Sequence, residues 1–279
     1  AGDSIDAAVA AGATSFSMEL IPRISRAQSM DALTSQALCA GYKAALVGAE
    51  LSPRFFPMLM TAAGTVTPAQ VLVLGAGVAG LQAIATARRL GAVVSAYDVR
   101  PSSADEVKSM GATFIELELE ALEGAGGYAR EMTEERAQKQ RDLLKPYIAK
   151  SHVLITTAAV PGRQAPRLVT HDMVDVMGPG SVIVDLAAES GGNVEGSRPG
   201  EIVVTDNGVK IWGGKDVPSM LPFHASSQYS KNCVNLLQLM LVPEKDVVAA
   251  SLSINFDDEI IAGACVAHQG ARRGAAERR

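Results

Sequence analysis

The sequence predicts an α/β fold, a doubly wound parallel sheet of the Rossmann type with a second, incomplete α/β lobe. Its central unit, residues 71–100, runs strand, glycine turn, helix and strand in succession. Apolar runs at 152–158 and 181–187 alternate with helical segments and continue this pattern. Such alternation is typical of a parallel sheet with helices on both faces.

The central unit begins with a short apolar run, Val71 to Leu74, of the kind that forms a strand buried on both faces. Gly75, Gly77 and Gly80 follow with the spacing G-x-G-x-x-G. The first glycine permits a tight turn, the second lets the backbone approach a pyrophosphate, and the third lets the helix pack on the strand. The helix over 78–90 points its unpaired first-turn N–H groups at an anion above the glycines.

Asp98 ends the second apolar strand, about twenty residues after the glycine turn. A carboxylate at this position accepts hydrogen bonds from the adenosine ribose hydroxyls and repels a 2′-phosphate. We therefore predict NAD(H) in preference to NADP(H), although Arg100 is close enough to weaken that preference. The pattern leaves open a tight turn without a ligand, and a site for FAD or S-adenosylmethionine.

The other elements follow in chain order, and a glycine-rich loop around Tyr128, expected to be mobile, interrupts them. The predicted helices cover 4–12, 29–47, 102–111, a charged segment ending near 150, 170–177 and 222–241, and the predicted strands cover 14–19, 113–118, 152–158, 181–187, 202–205, 209–212 and 248–256. Four regions result: a remnant of the first lobe with a polar loop (1–33), a Rossmann NAD(H)-binding domain (34–221), a crossover helix returning to the first lobe (222–270) and a disordered tail (271–279).

Composition limits the possible functions. A formal net charge of −5 and a charged fraction of 20% argue against nucleic acid as a partner. Cys39, Cys233 and Cys265 lie far apart and, like the four histidines, show no metal-ligand spacing, so we predict no metal site. No apolar run approaches the ~18 residues of a membrane span, and no signal peptide is recognisable. The chain opens without Met, inside a predicted helix, which suggests a fragment.

A general acid or base for alcohol oxidation is missing from the histidines and lysines, none of which is a convincing candidate. Arg23, Gln28 and Asp31 suggest another chemistry. Arg23 and Asp31 can pair across a turn and stiffen the loop, while the Gln28 amide offers both a donor and an acceptor to a carboxamide. On spacing alone, an ordinary salt-bridged helix entry explains these residues as well.

Four stretches together resemble one family. They are MELIPRISRAQSMDALTSQ, MTAAGTVTPAQVLVLGAGVAGLQAIATARRLGAVVSAYDVR, GAGGYAREM and TTAAVPGRQAP. They closely resemble domain I, the NAD(H)-binding component of proton-translocating nicotinamide nucleotide transhydrogenase, and the resemblance extends from Thr14 to about Gln269. This similarity is much more specific than the glycine spacing.

The resemblance implies roles for particular residues. In that family an R-x₄-Q-x₂-D loop lies beside the nicotinamide, which implies this role for Arg23, Gln28 and Asp31, and a hydroxyl residue follows it, here Thr34. A tyrosine of a mobile loop closes over the nucleotide, which implies that role for Tyr128. The cofactor-binding set expected on this basis is Gln28, Thr34, Gly75, Gly77, Val78, Ala79, Gly80, Asp98, Val99, Arg100, Thr157, Ala158 and Val160.

The resemblance also explains why no acid or base is needed. Hydride that passes directly between two nicotinamide C4 atoms creates no alkoxide, so the protein only positions the rings and excludes water. It implies an NADP(H)-binding domain III and a membrane domain II as partners, a homodimer, and a location at the cytoplasmic face of the bacterial inner membrane. None of these partner domains is in this chain.

Two departures and two rival functions remain. About 100 N-terminal residues of the family pattern are expected to be missing, and Gln164 stands where a Lys-Pro pair is expected. An alanine dehydrogenase has the same strand–helix–strand core, although the Arg23–Asp31 and Tyr128 loops argue against it. A non-catalytic NAD(H)-binding module is the second rival.

Overall fold

Two units make up the chain in this computed structural model, which describes residues 2–119, 133–159, 162–243 and 250–274. The sheet unit is Ala37–Leu221, and the discontinuous unit is Ala1–Gln36 together with Pro222–Arg279. The predicted loop around Tyr128, and Val160, lie outside the described residues.

The helices and strands of the described residues are numbered in chain order. The helices are α1 (Gly2–Ala10), α2 (Ala32–Leu51), α3 (Val78–Arg89), α4 (Ser103–Ser109), α5 (Glu134–Lys150), α6 (His171–Val174), α7 (Pro222–Gln238) and α8 (Glu259–Ala264). The strands are β1 (Ser15–Phe16), β2 (Leu59–Thr61), β3 (Gly64–Val66), β4 (Gln70–Leu74), β5 (Val93–Tyr97), β6 (Thr113–Phe114), β7 (Val153–Thr156), β8 (Val182–Asp185), β9 (Ile202–Val204), β10 (Lys210–Gly213), β11 (Leu241–Pro243), β12 (Ala250–Leu252), β13 (Cys265–His268) and β14 (Ala271–Arg272).

The described part of the sheet unit contains a seven-stranded sheet in the order β6-β5-β4-β7-β8-β10-β9. All neighbouring pairs are parallel except β9 and β10, which form the antiparallel hairpin that the sequence predicts around Asn207 and Gly208. If β4 is counted as the first strand, the parallel strands follow the Rossmann order 3-2-1-4-5-6. The reversal of strand order therefore lies between β4 and β7.

Both faces of this sheet are covered. In β4, Val71 and Val73 belong to one buried cluster, whereas Leu72 and Leu74 belong to another on the opposite face. Every residue of β7 and β8 is buried. The predicted fold class, a doubly wound Rossmann-type α/β sheet, is confirmed.

Helix α2 packs very closely within the sheet unit at two glycines. A Cβ on Gly41 would overlap the backbone oxygen of Ala79, in the first turn of α3. A Cβ on Gly48, two turns further along, would lie 2.8 Å from Val153 Cγ1. Residues 37–51 thus pack at a distance that only glycine allows at these two points.

The discontinuous unit contains the small antiparallel sheet β1-β13-β14 and the pair β11-β12. Its core holds Met18, Met30, Leu236 and Ile260, with other apolar side chains packed around them. Pairing of β14 with β13 corrects the predicted disordered tail: the prediction over 271–279 is wrong for Ala271–Arg272. The turn at Gln269 and Gly270, both with positive φ, brings these residues back onto β13.

Several elements differ from the sequence prediction. The long helix α2 begins at Ala32 instead of residue 29, because Ser25–Met30 forms a 3₁₀ turn before it. The hairpin β2-β3, helix α8 and strand β13 were not predicted. Of the predicted strand 248–256, residues 250–252 form β12, while 248 and 249 lie outside the described residues.

We expect Gly41→Ala to lower the free energy of unfolding by about 1–3 kcal/mol, because the new methyl group forces α2 away from the first turn of α3. Urea denaturation followed by circular dichroism measures the change. Gly178→Ala is the control, since its Cβ would meet only Ser181 Oγ at 3.9 Å. Equal stability of both variants would contradict the close packing.

Candidate functional site

The glycine turn lies at the carboxyl end of β4, and each glycine has a distinct environment. Gly75 has φ +101°, and a Cβ there would lie 2.6 Å from Thr157 Oγ1. A Cβ on Gly80 would overlap the Gly75 carbonyl oxygen. A Cβ on Gly77 would meet nothing within 4 Å. Two glycines are therefore required for packing, and the third opens onto free space.

That free space adjoins the first turn of α3, where Gly77 is the N-cap residue and Val78 and Ala79 follow. The first N–H groups of a helix have no intrahelical partner and form a ready anion site. A side chain at Gly77 would fill this space. The geometry therefore suits a pyrophosphate held against the backbone.

Asp98 lies at the carboxyl end of β5, beside the glycine turn, and only 8% of its side chain is exposed. Its Oδ2 accepts a hydrogen bond from the Ala76 N–H at 2.7 Å. The Arg100 backbone N–H and Nε donate to Oδ1 at 2.9 and 3.0 Å, and Arg100 Nη2 donates to Oδ2 at 3.1 Å. The carboxylate is thereby oriented by the turn itself and paired with a guanidinium.

The neighbours of Asp98 are well ordered by packing. The Tyr97 hydroxyl donates to Gln140 Oε1 at 3.2 Å, and burial raises the pKa of Tyr97 to about 12. The hydrogen bond with Asp98 raises the pKa of Arg100. Val99 packs against the buried cluster on one face of the sheet. The predicted residues 98–100 thus form one continuous corner at the end of β5.

Thr157 and Ala158 follow β7 and support the turn from the adjacent strand. Thr157 Oγ1 donates to the Gly75 carbonyl at 3.0 Å. The Asn193 side chain brackets Ala158: Oδ1 accepts from the Ala158 N–H at 3.0 Å, and Nδ2 donates to its carbonyl at 2.8 Å. The same Nδ2 donates to the Pro166 carbonyl at 2.8 Å, so Asn193 ties together the two sides of the loop after β7.

Asp185 organises this region from below, a role that no sequence pattern had assigned to it. Its carboxylate is fully buried and accepts from Thr156 Oγ1 at 3.1 Å. Backbone N–H groups of Ala187, Asn193 and Val194 donate to it at 3.0, 3.3 and 3.2 Å. Neutral donors thus satisfy the buried acid. An Asp directly at the end of an apolar strand was the available signal.

The loop with Arg23, Gln28 and Asp31 belongs to the discontinuous unit. The Thr34 N–H and Oγ1 donate to the Asp31 carboxylate at 2.9 and 2.7 Å. Asp31 therefore caps α2, a different partner from the predicted Arg23. Arg23 and Gln28 are exposed, and the Gln28 amide makes no side-chain hydrogen bond within the described residues.

Two absences concern the described residues alone. They contain no group of three or more His, Cys, Asp or Glu side chains that could hold a metal ion. Within 2–119, 133–159, 162–243 and 250–274, no helix has both the length and the apolar character needed to cross a bilayer.

A sheet in the order 3-2-1-4-5-6, a glycine turn open at its second glycine and an acid at the end of the next strand define a dinucleotide-binding domain. Comparison with known proteins identifies the family. The family model "Alanine dehydrogenase/PNT, C-terminal domain" matches residues 44–273. The chain belongs to the alanine dehydrogenase/PNT family.

Similar proteins narrow the comparison. The first of the separate chains that make up NAD(P) transhydrogenase subunit alpha in Rhodospirillum rubrum is 52% identical over 261 residues, covering 92% of this chain and 67% of that protein. The NAD(P) transhydrogenase subunit alpha of Haemophilus influenzae is 48% identical over 256 residues, covering 91% of this chain and 49% of that protein. The chain thus spans about two thirds and about half of these relatives.

Among solved structures, the transhydrogenase from Sinorhizobium meliloti matches with a TM-score of 0.84 and 49% identity. The match covers 97% of this chain and 71% of that one. The resemblance to transhydrogenase stated from the sequence is confirmed by these matches.

We expect Gly77→Ala to weaken NADH binding by about tenfold or more while leaving stability nearly unchanged, because the methyl group enters only the open space above the turn. Gly80→Ala is the matched comparison, and it should lower the melting temperature because its Cβ overlaps Gly75. Calorimetric titration and thermal unfolding give the two values. Unaltered NADH affinity in Gly77→Ala would mean that no ligand occupies this space.

Proposed function

We propose that this chain is the NAD(H)-binding component of a proton-translocating transhydrogenase, an oxidoreductase. It transfers hydride directly between its own NAD(H) and NADP(H) held by a partner domain III. The observation that carries the proposal is the Asp98 carboxylate, oriented by the Ala76 N–H beside a glycine turn whose second glycine is open. The high identity to transhydrogenase alpha subunits supports the particular reaction.

The residues present fit a dinucleotide. In this proposal Gly75, Gly77 and the first turn of α3 bind the pyrophosphate, and Asp98 accepts from the ribose hydroxyls in place of the Arg100 side chain. Bound NAD(H) supplies the hydride chemistry at its nicotinamide C4. The ordered loop after β7, with Thr157 and Ala158, forms part of the wall of the cofactor site.

Arg23, Gln28 and Asp31 act on the nicotinamide side in this proposal. The exposed Gln28 amide offers one donor and one acceptor, the pair that a carboxamide needs. Asp31 holds Thr34 and the start of α2. Tyr128 closes over the nucleotide, and Val160 contributes to the site. No residue has to move a proton, because hydride transfer between two nicotinamides creates no alkoxide.

The rest of the complex belongs to the same proposal. NADP(H) is bound by domain III, a membrane domain II couples hydride transfer to proton movement, and the chain acts at the cytoplasmic face of the bacterial inner membrane. We also propose a homodimer, which exposed apolar side chains on α7 support: Phe223 is 80% exposed, and Val234 and Leu237 are exposed as well.

The deciding experiment mixes this chain with a purified NADP(H)-binding domain III and follows hydride exchange between NADH and an NADP⁺ analogue. Turnover that requires both proteins is the expected result. NADH binding without exchange would favour a non-catalytic binding module. Oxidation of alanine or reduction of pyruvate with NAD(H) alone would instead identify an alanine dehydrogenase.

We expect Asp98→Ala to weaken NADH binding by about 1–3 kcal/mol, since the ribose loses a charge-assisted hydrogen bond. Titration with NADH and with NADPH measures this change and the loss of discrimination between them. Asp105→Ala, an exposed acid on α4, serves as the control. Full retention of NADH affinity in Asp98→Ala would show that the carboxylate does not contact the ribose.

A further inference from the structure

One backbone carbonyl in the Arg23–Asp31 loop receives two side-chain hydrogen bonds from a single helix. Asn232 Nδ2 and Asn235 Nδ2, on α7, each donate to the Ser29 carbonyl at 2.8 Å. Residues three apart on a helix lie on the same face, so both amides reach the same acceptor. A carbonyl oxygen accepts two hydrogen bonds, and both are used here.

Asn232 is fixed by further contacts. Its side chain is buried, and its Oδ1 accepts from Ser35 Oγ at 2.7 Å. Ser35 Oγ also accepts from Gln36 Nε2, which in addition donates to the Ala225 carbonyl on α7. Each polar atom of the Asn232 amide therefore has a partner in the loop or at the start of α2. The amide cannot rotate without breaking one of these bonds.

The same loop is anchored on its other side. Arg26 Nη1 and Nη2 bind the two oxygens of Asp258 at 2.7 and 2.9 Å, a bidentate pair. Asp258 in turn caps α8 by accepting from the Ile260 N–H at 2.9 Å. Both ends of the 3₁₀ turn, residues 25–30, are thus held by side chains from distant parts of the sequence.

Apolar contacts complete the anchoring. Ala27 and Met30 are buried in the core of the discontinuous unit, with Leu236 and Met240. Gln28 lies between these buried positions and is itself exposed. Its backbone carbonyl accepts from the Asp31 N–H at 3.3 Å, so the turn at Gln28 is closed. The backbone is fixed around a side chain whose amide has no protein partner within the described residues.

We infer that Asn232 and Asn235 are positioning residues, which hold the turn at Ser29 so that the Gln28 amide is presented in one orientation to the nicotinamide carboxamide. This inference rests on the proposed function. Two neutral amides saturate the Ser29 carbonyl without adding charge near a ring whose charge changes when hydride is transferred. Their loss leaves NADH bound but allows the turn to rotate.

Asn235→Ala tests the inference, because Asn235 is half-buried and contributes one bond to Ser29. Asn232→Ala is the stronger variant, but it leaves buried polar groups without partners and risks misfolding. Gln238→Ala, an exposed amide at the end of the same helix, is the matched control. Single-turnover hydride transfer with domain III, NADH affinity, and hydrogen exchange of the peptide over 23–31 are measured for each variant.

We expect Asn235→Ala to slow hydride transfer by roughly tenfold to a hundredfold with less than about twofold loss of NADH affinity, since misorientation affects the transition state more than binding. Hydrogen exchange over 23–31 should accelerate in Asn235→Ala and not in Gln238→Ala. In a Gln28→Ala background, the Asn235 substitution should cost little further, because the two residues act through one group.

Equal losses of rate and affinity, or additive losses in the Gln28→Ala background, would overturn the inference and leave Asn235 as a structural residue. A wild-type chain that exchanges no hydride with domain III would refute the proposed function instead. The hydrogen-exchange comparison then decides separately whether the amides hold the turn, and unchanged exchange in Asn235→Ala rejects that claim.

Discussion

The close approach of three backbone segments at the carboxyl end of β4 is the constraint on which the sheet unit depends. Gly75, Gly80 and Thr157 meet there, and a Cβ at either glycine would collide with a neighbour. Helix α2 adds a fourth contact through Gly41 and Ala79. Because backbone fills this region, the phosphate of a ligand can be bound by N–H groups instead of long side chains. The specificity for a nucleotide is thus built from backbone geometry.

Around this point the structure uses short polar side chains to hold loops. Asp185 and Asn193 fix the chain after β7 and β8, and Asn232 fixes the loop before α2. In each case an amide or carboxylate bonds mainly to backbone, which tolerates variation in neighbouring side chains. Such networks define one loop conformation, because every alternative leaves a buried polar group without a partner.

The sheet could be predicted because its signals are local: apolar runs, the glycine spacing and the acid after β5 all fall within about thirty residues. The contacts that position the candidate site could not. Asn232 binds Ser29 across some 200 residues, and no local pattern announces such a bond. Asp31 was expected to pair with Arg23, but a nearby helix N-terminus offered Thr34 as a closer donor. Helix α8 was missed because six residues carry too little periodicity.

The pairing of Asp98 with Arg100 has a consequence for turnover. A carboxylate that already accepts four hydrogen bonds contributes to ligand affinity only the difference between its old and new partners. The ribose therefore gains specificity from Asp98 without a large gain in binding energy, and the guanidinium restores the empty state as the nucleotide departs. A carrier that must exchange oxidised for reduced cofactor in every cycle benefits from such an arrangement, because tight binding would make dissociation the slow step.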